Sequence, residues 1–353
     1  MLRSLAADSE LEQVVEARRD RVRPARAKAL LVALGLAVSA VFAYVAVQDA
    51  QPRRTLDELR AIDYAWLLPA LVLLLSAFLL RAIRWQSLFP TRDRPPLRHV
   101  IPALFIGYLA NALLPLRTGD ALAIVSLTRR AGRTVAETTA TALVQRAQDV
   151  LSLVLLLFLL LPWLPHVDWL RAAGLVALVL LVLLALAAAA VLRYGERVLH
   201  VLLRPLRELP FVRAEALAGA PAEFVRGLGG LLNPRVALVS FAWTTLSWLV
   251  LGVGFWLVLK ASGIELSPAA GVLVVIGIGL AMILPSPPAA LGIFEGATVV
   301  VLSAYDVDGS TALSYALVLH ALNVFPLFAV GAAAALTRQL RARARPAPSA
   351  SEP

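Results

Sequence analysis

The stretch that decides the fold lies in the last quarter of the chain and reads LPSPPAALGIFE over residues 284–295. Apolar segments flank it at 272–283 and 297–304, and each is shorter than the roughly 20 residues that a membrane-spanning helix needs. Three prolines and a glycine end the first segment and hold the chain open. At membrane depth, broken backbone and a carboxylate such as Glu295 are tolerated only where they face protein or water. The pattern therefore predicts a re-entrant helical hairpin whose tip carries a functional acid toward the middle of a membrane.

The composition is that of a membrane protein. Hydrophobic residues make up 60% of the 353 residues and charged residues 16%, against roughly 45–50% and about 25% in globular domains. Because the apolar residues form long runs, the sequence predicts an all-α, polytopic helical membrane protein. The net charge of +10 does not indicate nucleic-acid binding, since the basic residues lie in loops between apolar runs, as on the cytoplasmic side of membrane proteins. The chain has no cysteine, which excludes disulfides and cysteine metal sites.

Long apolar segments predict six full spans, at residues 29–47, 64–80, 135–161, 170–192, 236–259 and 312–336. A second short and broken segment, residues 101–127, starts and ends beside arginines, which predicts a second re-entrant hairpin that opens from the cytoplasm. Residues 48–63 are predicted to form an outer loop. The polar segment 193–235 is predicted to be cytoplasmic and to carry an interfacial amphipathic helix.

Both ends of the chain are predicted to be cytoplasmic. The polar arm, residues 1–28, ends in a basic cluster beside the first span, and the tail, residues 338–353, begins with arginines. The proline- and serine-rich end of the tail is predicted to be disordered. A single transmembrane domain over residues 29–337 lies between them, and the expected location is the plasma membrane.

The two predicted hairpins share one pattern: a short apolar helix ending in Leu-Pro, a broken stretch, a glycine and a carboxylate. The tips contain Pro115 and Gly119 in the first hairpin and Pro285, Pro287, Pro288 and Gly292 in the second. On the predicted topology the hairpins enter from opposite faces, so the two halves form an inverted repeat. Short, broken segments in corresponding positions of two halves are a sequence sign of a transporter substrate site. A coincidence of two membrane kinks is the alternative.

Several motifs follow in order along the chain. They are NALLPLRTGD at 111–120, ALVQRAQD at 142–149, the broken stretch at 284–295 and a last span that contains Pro326. In this order they resemble the flippase-like, lysylphosphatidylglycerol-synthase transmembrane-region family over nearly the whole chain. The resemblance implies a membrane domain that moves a lipid, or a lipid-linked headgroup, between leaflets.

The chain departs from that family's pattern at several positions. The family usually has Glu where Asp120 stands, Arg where Ile124 stands and a glycine pair where Ala289 and Ala290 stand, and often has Arg near His320. The missing cations imply either a different lipid or lost transport. The soluble aminoacyl-transferring domain of some relatives is not in this sequence, so synthase activity does not follow from the resemblance.

Charged and polar side chains are predicted to line a cavity near the membrane middle, through which a headgroup crosses while its acyl chains stay in lipid. The predicted substrate-binding residues are Asn111, Arg117, Asp120, Arg146, Asp149, Glu295 and His320. The arginines would take phosphate oxygens, and the acids would hold a cationic headgroup part or balance the arginines. Half-helix ends at both tips offer partial charges for the same purpose. The predicted partners are membrane lipids, either an anionic phospholipid or a lipid-linked headgroup, and a homo-oligomer is compatible with the sequence.

Four of these residues also have a structural explanation. Arg146 and Asp149 lie three residues apart on one helix face and are equally well explained as an ion pair. Glu295 is alternatively an N-terminal helix cap. A buried histidine such as His320 is more often a hydrogen-bonded packing residue than a proton relay.

A different class of function is a membrane-embedded transferase that acts on a lipid-linked sugar. Asp306 and Asp308 form an Asp-x-Asp pattern that suits a divalent cation, although two acids are ordinary in a short outer turn. The four histidines show no metal-binding spacing, and there is no glycine-rich phosphate loop or nucleophile elbow. We therefore predict no enzymatic activity, no cofactor and no metal. An accessory subunit of such an enzyme is the third possibility.

Overall fold

The computed structural model describes residues 32–90, 94–163, 165, 220–284 and 286–343, together with scattered residues between 172 and 194. Within this part of the chain every regular element is a helix, which confirms the all-α class. Several predictions fall outside the described residues. These are the arm 1–28, most of the span at 170–192, the amphipathic helix expected before residue 220, Pro285 and the end of the tail.

The continuous described segments contain helices that we number in chain order. They are α1 (Val32–Val47), α2 (Pro52–Arg60), α3 (Tyr64–Ser87), α4 (Leu97–Leu113), α5 (Thr118–Ala131), α6 (Val135–Leu160), α7 (Ala220–Leu232), α8 (Pro234–Ala261), α9 (Pro268–Ala281), α10 (Ile293–Ser303) and α11 (Gly309–Arg343). Short 3-10 turns follow α4 and precede α10.

Four of these helices are long and apolar enough to cross a membrane: α3, α6 with its continuation to Trp163, α8, and α11 up to Ala332. A fifth span results if α1 and α2, which meet at 79°, are taken together. On α3, the large side chains of Leu68, Val72, Leu75 and Leu79 are all about half exposed or more. Their spacing of three to four residues forms one apolar stripe, as expected of a helix that faces lipid. The chain is therefore a multi-pass membrane protein.

Two boundaries differ from the sequence prediction. The predicted loop 48–63 contains α2, which begins with Pro52 at its first turn, a position where the missing N–H costs nothing. Arg54 of α2 forms an ion pair of 3.3 Å with Asp308, so α2 is tied to the start of α11. In addition, α3 does not end near residue 80 but continues to Ser87.

Two pairs of short helices stand where the hairpins are predicted. In the first pair α4 packs along α5, and a Cβ atom at Gly119 would lie only 2.0 Å from the carbonyl oxygen of Gly107. In the second pair α9 packs along α10, with Gly277 against the side chain of Val301. The glycines allow the two helices of each pair to pack at close range. None of these four helices exceeds 17 residues.

Both breaks between the paired helices depend on left-handed backbone. Arg117 has φ of 53° in the first break, while Ala289 and Ala290 have φ of 53° and 55° in the second. The left-handed region costs a non-glycine residue about 1–2 kcal/mol, so surrounding contacts must hold these turns. One such contact joins the two breaks directly, because Arg117 Nη1 donates to the carbonyl oxygen of Met282 at 2.6 Å.

Candidate functional site

A cavity of about 1090 Å³ lies where the two breaks meet. Leucine, isoleucine, valine and phenylalanine make up most of its wall. Its polar lining residues are Arg81, Tyr108, Asn111, Arg117, Asp120, Arg146, Asp149, Trp248, Ser286, His320 and Asn323. Six of the seven predicted substrate-binding residues are among them, and the seventh, Glu295, contacts His320. The structure thus brings the predicted residues of both hairpins to one place.

Asp120 is the centre of the polar cluster at the first break. Its carboxylate accepts a hydrogen bond from Arg146 Nη2 at 2.5 Å and another from Asn111 Nδ2 at 2.9 Å. Arg117 Nε lies 3.7 Å away. The side chains of Asp120 and Arg146 are 40% and 49% exposed. Both side chains line the cavity, so a ligand in the cavity can reach this ion pair.

Asn111 sets the geometry of this break. Its Oδ1 accepts a hydrogen bond from the backbone N–H of Gly119 at 2.8 Å, while its Nδ2 holds Asp120. The first N–H groups of a helix have no partner within the helix and need one elsewhere. A side chain of α4 therefore supplies the cap of α5, and the carboxylate of Asp120 stays available to the arginines.

Arg146 and Asp149 do not pair with each other, contrary to the structural alternative in the sequence analysis. Arg146 turns to Asp120, whereas Asp149 forms an ion pair with Arg84. Trp248 Nε1 also donates to Asp149 Oδ1 at 3.2 Å. Both charged helix positions are thus satisfied by other helices, α5 in one case and α3 and α8 in the other.

Arg84 is absent from the predicted site because the predicted span ends at residue 80, before this arginine. The side chain is 5% exposed and its Nη2 donates to Gln145 Oε1 at 2.8 Å. A buried arginine is stable only when a carboxylate and hydrogen-bond acceptors surround it. The one available signal was its spacing of three from Arg81, which places both arginines on one face of α3.

Arg81 was missed for the same reason. Its guanidinium carbon lies 4.5 Å above the ring of Trp248, and its Nη1 donates to the hydroxyl of Tyr108 at 3.4 Å. The ring of Tyr108 is itself held against Phe78, with 5.6 Å between ring centroids. Aromatic groups therefore fix the Arg81 side chain at the cavity wall.

The second break carries a buried acid–histidine pair. His320 Nδ1 lies 2.5 Å from Glu295 Oε1, and both side chains are 9% exposed. Glu295 Oε2 also accepts the backbone N–H of Gly292 at 2.7 Å, which makes it a cap of α10. The ring of Phe294 stacks on His320 with 4.5 Å between centroids. The structural explanations of Glu295 and His320 are therefore realised, and the two residues join α10 to α11 beside the cavity.

The Asp-x-Asp turn is used for helix capping. Asp308 Oδ2 accepts the backbone N–H groups of Ser310 and Thr311 at 3.1 and 3.3 Å, and Asp308 also pairs with Arg54. Over the described ranges, no group of three or more histidine, aspartate or glutamate side chains is arranged to hold a metal ion.

Comparison with known proteins supports the resemblance seen in the motifs. No curated protein matches the chain. A family model described as the lysylphosphatidylglycerol synthase TM region matches residues 32–331. That match includes both pairs of short helices, both breaks and every residue that lines the cavity. The chain therefore belongs to the lysylphosphatidylglycerol synthase transmembrane-region family.

Proposed function

We propose that this protein moves a phospholipid or a lipid-linked headgroup between the two leaflets, as a flippase or a scramblase. The observation that carries the proposal is the contact of the two breaks, through Arg117 and Met282, at the wall of a large cavity. That cavity has a polar part beside the breaks and an apolar remainder.

The physical argument starts from the cost of the crossing. A charged headgroup cannot pass through hydrocarbon without a large free-energy penalty. Fixed polar groups along its route replace the lost water, while apolar walls accommodate the acyl chains. The cavity volume of about 1090 Å³ is slightly above the roughly 300–1,000 Å³ that small-molecule sites occupy. It has room for a headgroup and the first part of its chains.

The same proposal includes a topology. The pair α4–α5 enters from the cytoplasm and the pair α9–α10 from the opposite side, as the halves of an inverted repeat. Both termini are then cytoplasmic, in the plasma membrane, because the basic clusters lie at the chain ends and beside the first hairpin. Broken backbone at that depth is stable because it lines a cavity rather than lipid.

Asp120 and Arg146 have the central role in this mechanism. Their half-exposed ion pair opens when a headgroup phosphate takes the arginine, with the bidentate geometry that guanidinium groups offer. Arg117 is 26% exposed and adjoins the same carboxylate, so it can take part in the exchange. Asn111 keeps the end of α5 capped while Asp120 changes partner.

A transport assay tests the proposal. The purified protein is placed in liposomes that contain a fluorescently labelled phospholipid, and a membrane-impermeant reductant irreversibly destroys the label in the outer leaflet. We expect the destroyed fraction to rise well above the half seen in protein-free liposomes, because label from the inner leaflet moves out during the reaction. Arg117→Gln should slow the movement, whereas Arg53→Gln, the same change at an exposed position on α2, should not. Movement no faster than in protein-free liposomes would contradict the proposal.

Mass spectrometry of the lipids in matching liposomes that also contain a lipid-linked sugar separates the other candidate functions. We expect their masses to stay unchanged. Conversion of a lipid-linked sugar that depends on Asp306 would identify a transferase instead. Movement that appears only when a partner enzyme is added would identify an accessory subunit.

A further inference from the structure

We propose that Arg81 is an anion-binding residue of the cavity, and that the protein selects lipids whose headgroup carries a net negative charge. This inference rests on the proposed function and names the class of its substrate. It begins from the partners of the charged side chains around the cavity.

Each carboxylate at the cavity already has side-chain partners. Asp120 is bound to Arg146, Asp149 to Arg84, and Glu295 to His320. Further hydrogen bonds from Asn111, Trp248 and the backbone of Gly292 occupy the same three groups. A headgroup ammonium would therefore have to displace an existing partner, since no carboxylate among the described cavity residues is left over for it.

Arg81 is in the opposite situation. No carboxylate of the described residues lies within ion-pair distance of it, and its recorded partners are the Trp248 ring and the Tyr108 hydroxyl. Stacking on an aromatic ring leaves the edge of a guanidinium free to donate hydrogen bonds. Arg81 lines the cavity and is half-buried, so that edge is available to a ligand in a partly desolvated place.

The charge balance points the same way. The cavity and its ion pairs contain four arginines: Arg81, Arg84, Arg117 and Arg146. The two aspartates, Asp120 and Asp149, neutralise two of these charges, so the net charge is +2. Counting Glu295 with a neutral His320 still leaves +1. A phosphodiester with no compensating ammonium group neutralises such a site, whereas a headgroup with a surplus of ammonium groups adds to the repulsion.

The apolar wall identifies the anion as part of a lipid rather than a free phosphate compound. Leu71, Leu74 and Phe78 belong to the same helix as Arg81 and line the cavity beside it. Burial of acyl methylene groups contributes about 0.8 kcal/mol for each group. A lipid headgroup on Arg81 should therefore bind much more tightly than the same headgroup without chains.

The test measures binding of four probes to the purified full-length protein in detergent by isothermal titration. They are a short-chain phosphatidylglycerol, the matching phosphatidylcholine, the lysyl ester of the phosphatidylglycerol, and glycerol 3-phosphate. We expect the anionic lipid to bind at least about tenfold more tightly than the other three, because ammonium groups in two of them are repelled by the arginines and the fourth lacks acyl chains. Equal affinity of the lysyl ester or of phosphatidylcholine would overturn the proposal. Equal affinity of glycerol 3-phosphate would assign the site to free phosphate compounds and overturn the lipid part.

Variants then locate the selectivity. Arg81→Gln should lower the affinity for the anionic lipid about tenfold and remove the preference, while Arg81→Lys should keep part of it because the charge remains. Arg53→Gln serves as the matched control and should have no effect. An unchanged preference in Arg81→Gln would refute the role of Arg81. If that variant does not fold, Arg81→Lys and the probe series on the natural protein still decide the matter.

These outcomes also separate the inference from the function on which it rests. Transport that is equally fast for anionic and zwitterionic lipids would defeat the inference and leave the flippase or scramblase proposal standing. Selective binding of anionic lipids without any transport would support the inference on Arg81 and contradict the flippase or scramblase proposal.

Discussion

The two breaks follow the same sequence pattern, yet their acids serve different purposes. Asp120 and Glu295 are each the third residue of their helix, α5 and α10. The side chain of Asp120 is 40% exposed and faces arginines at the cavity, whereas that of Glu295 is 9% exposed and bound to His320. One break thus carries a charge that a ligand can reach, and the other carries a fixed tie between helices.

The difference arises from how each helix end is capped. Glu295 is one methylene longer than aspartate and reaches back to the N–H of Gly292, so it caps its own helix. In the first break Asn111 of α4 provides the corresponding acceptor to Gly119. Because a neighbouring helix does the capping there, the carboxylate of Asp120 instead contacts the arginines at the cavity. The third helix position is therefore a cap in one break and a partner of arginines in the other.

The largest effect is expected when the buried acid, Glu295, is removed. Glu295→Ala leaves His320 and the Gly292 N–H without their partner in a buried place. We expect a loss of about 3–5 kcal/mol in the free energy of unfolding, as when one member of a buried pair is removed. Chemical denaturation in detergent measures it. The control is Glu265→Ala, whose carboxylate is 77% exposed and which should change stability little. A cost for Glu295→Ala no larger than for Asp120→Ala would show that the two acids are equivalent.

The second prediction concerns the exposed acid and is about rate rather than stability. Asp120→Asn keeps the shape but removes the charge that Arg146 binds. We expect stability to change by less than about 1 kcal/mol, while lipid movement in liposomes slows about tenfold or more, since a charge-assisted contact is lost. Asp120→Glu should keep most of the rate, because the family usually has Glu at this position. A large loss of stability in Asp120→Asn would show that Asp120, like Glu295, has a structural role.

The smallest expected effect concerns the backbone of the second break. Ala289 and Ala290 hold positive φ angles, where the family's pattern has glycines. The left-handed region costs alanine about 1–2 kcal/mol, and a change to glycine removes that strain. The unfolded chain gains entropy with glycine, which offsets about 0.5–1 kcal/mol of the stabilisation. Ala289→Gly should therefore stabilise the protein by about 0.5–1 kcal/mol in the same denaturation assay. Ala289 is half-buried, whereas Ala290 is buried and would lose its methyl contacts as well. The exposed helical Ala242 is the control, where glycine should destabilise by about 1 kcal/mol. If glycine changed the free energy of unfolding in the same direction at both positions, left-handed strain at the second break would not be the cause.

Much of the architecture was predictable because local signals are strong in a membrane protein. Backbone polar groups must be satisfied inside lipid, so span length and proline-glycine breaks are visible in the sequence itself. The short pairs α4–α5 and α9–α10 and four of the spans follow from that rule. The end of α3 was predicted less well, since a span that stops at residue 80 leaves out Arg81 and Arg84, which the helix in fact carries.

The sequence by itself determined the helical class, the multi-pass character, the two broken segments, the family and most of the residues that gather at the cavity. Only the tertiary structure decided which charges meet: Asp149 with Arg84 rather than with Arg146, and Glu295 with His320. The physical reason is distance along the chain. Helix periodicity determines contacts three or four residues apart, whereas these partners are 65 and 25 residues apart and meet only when helices pack.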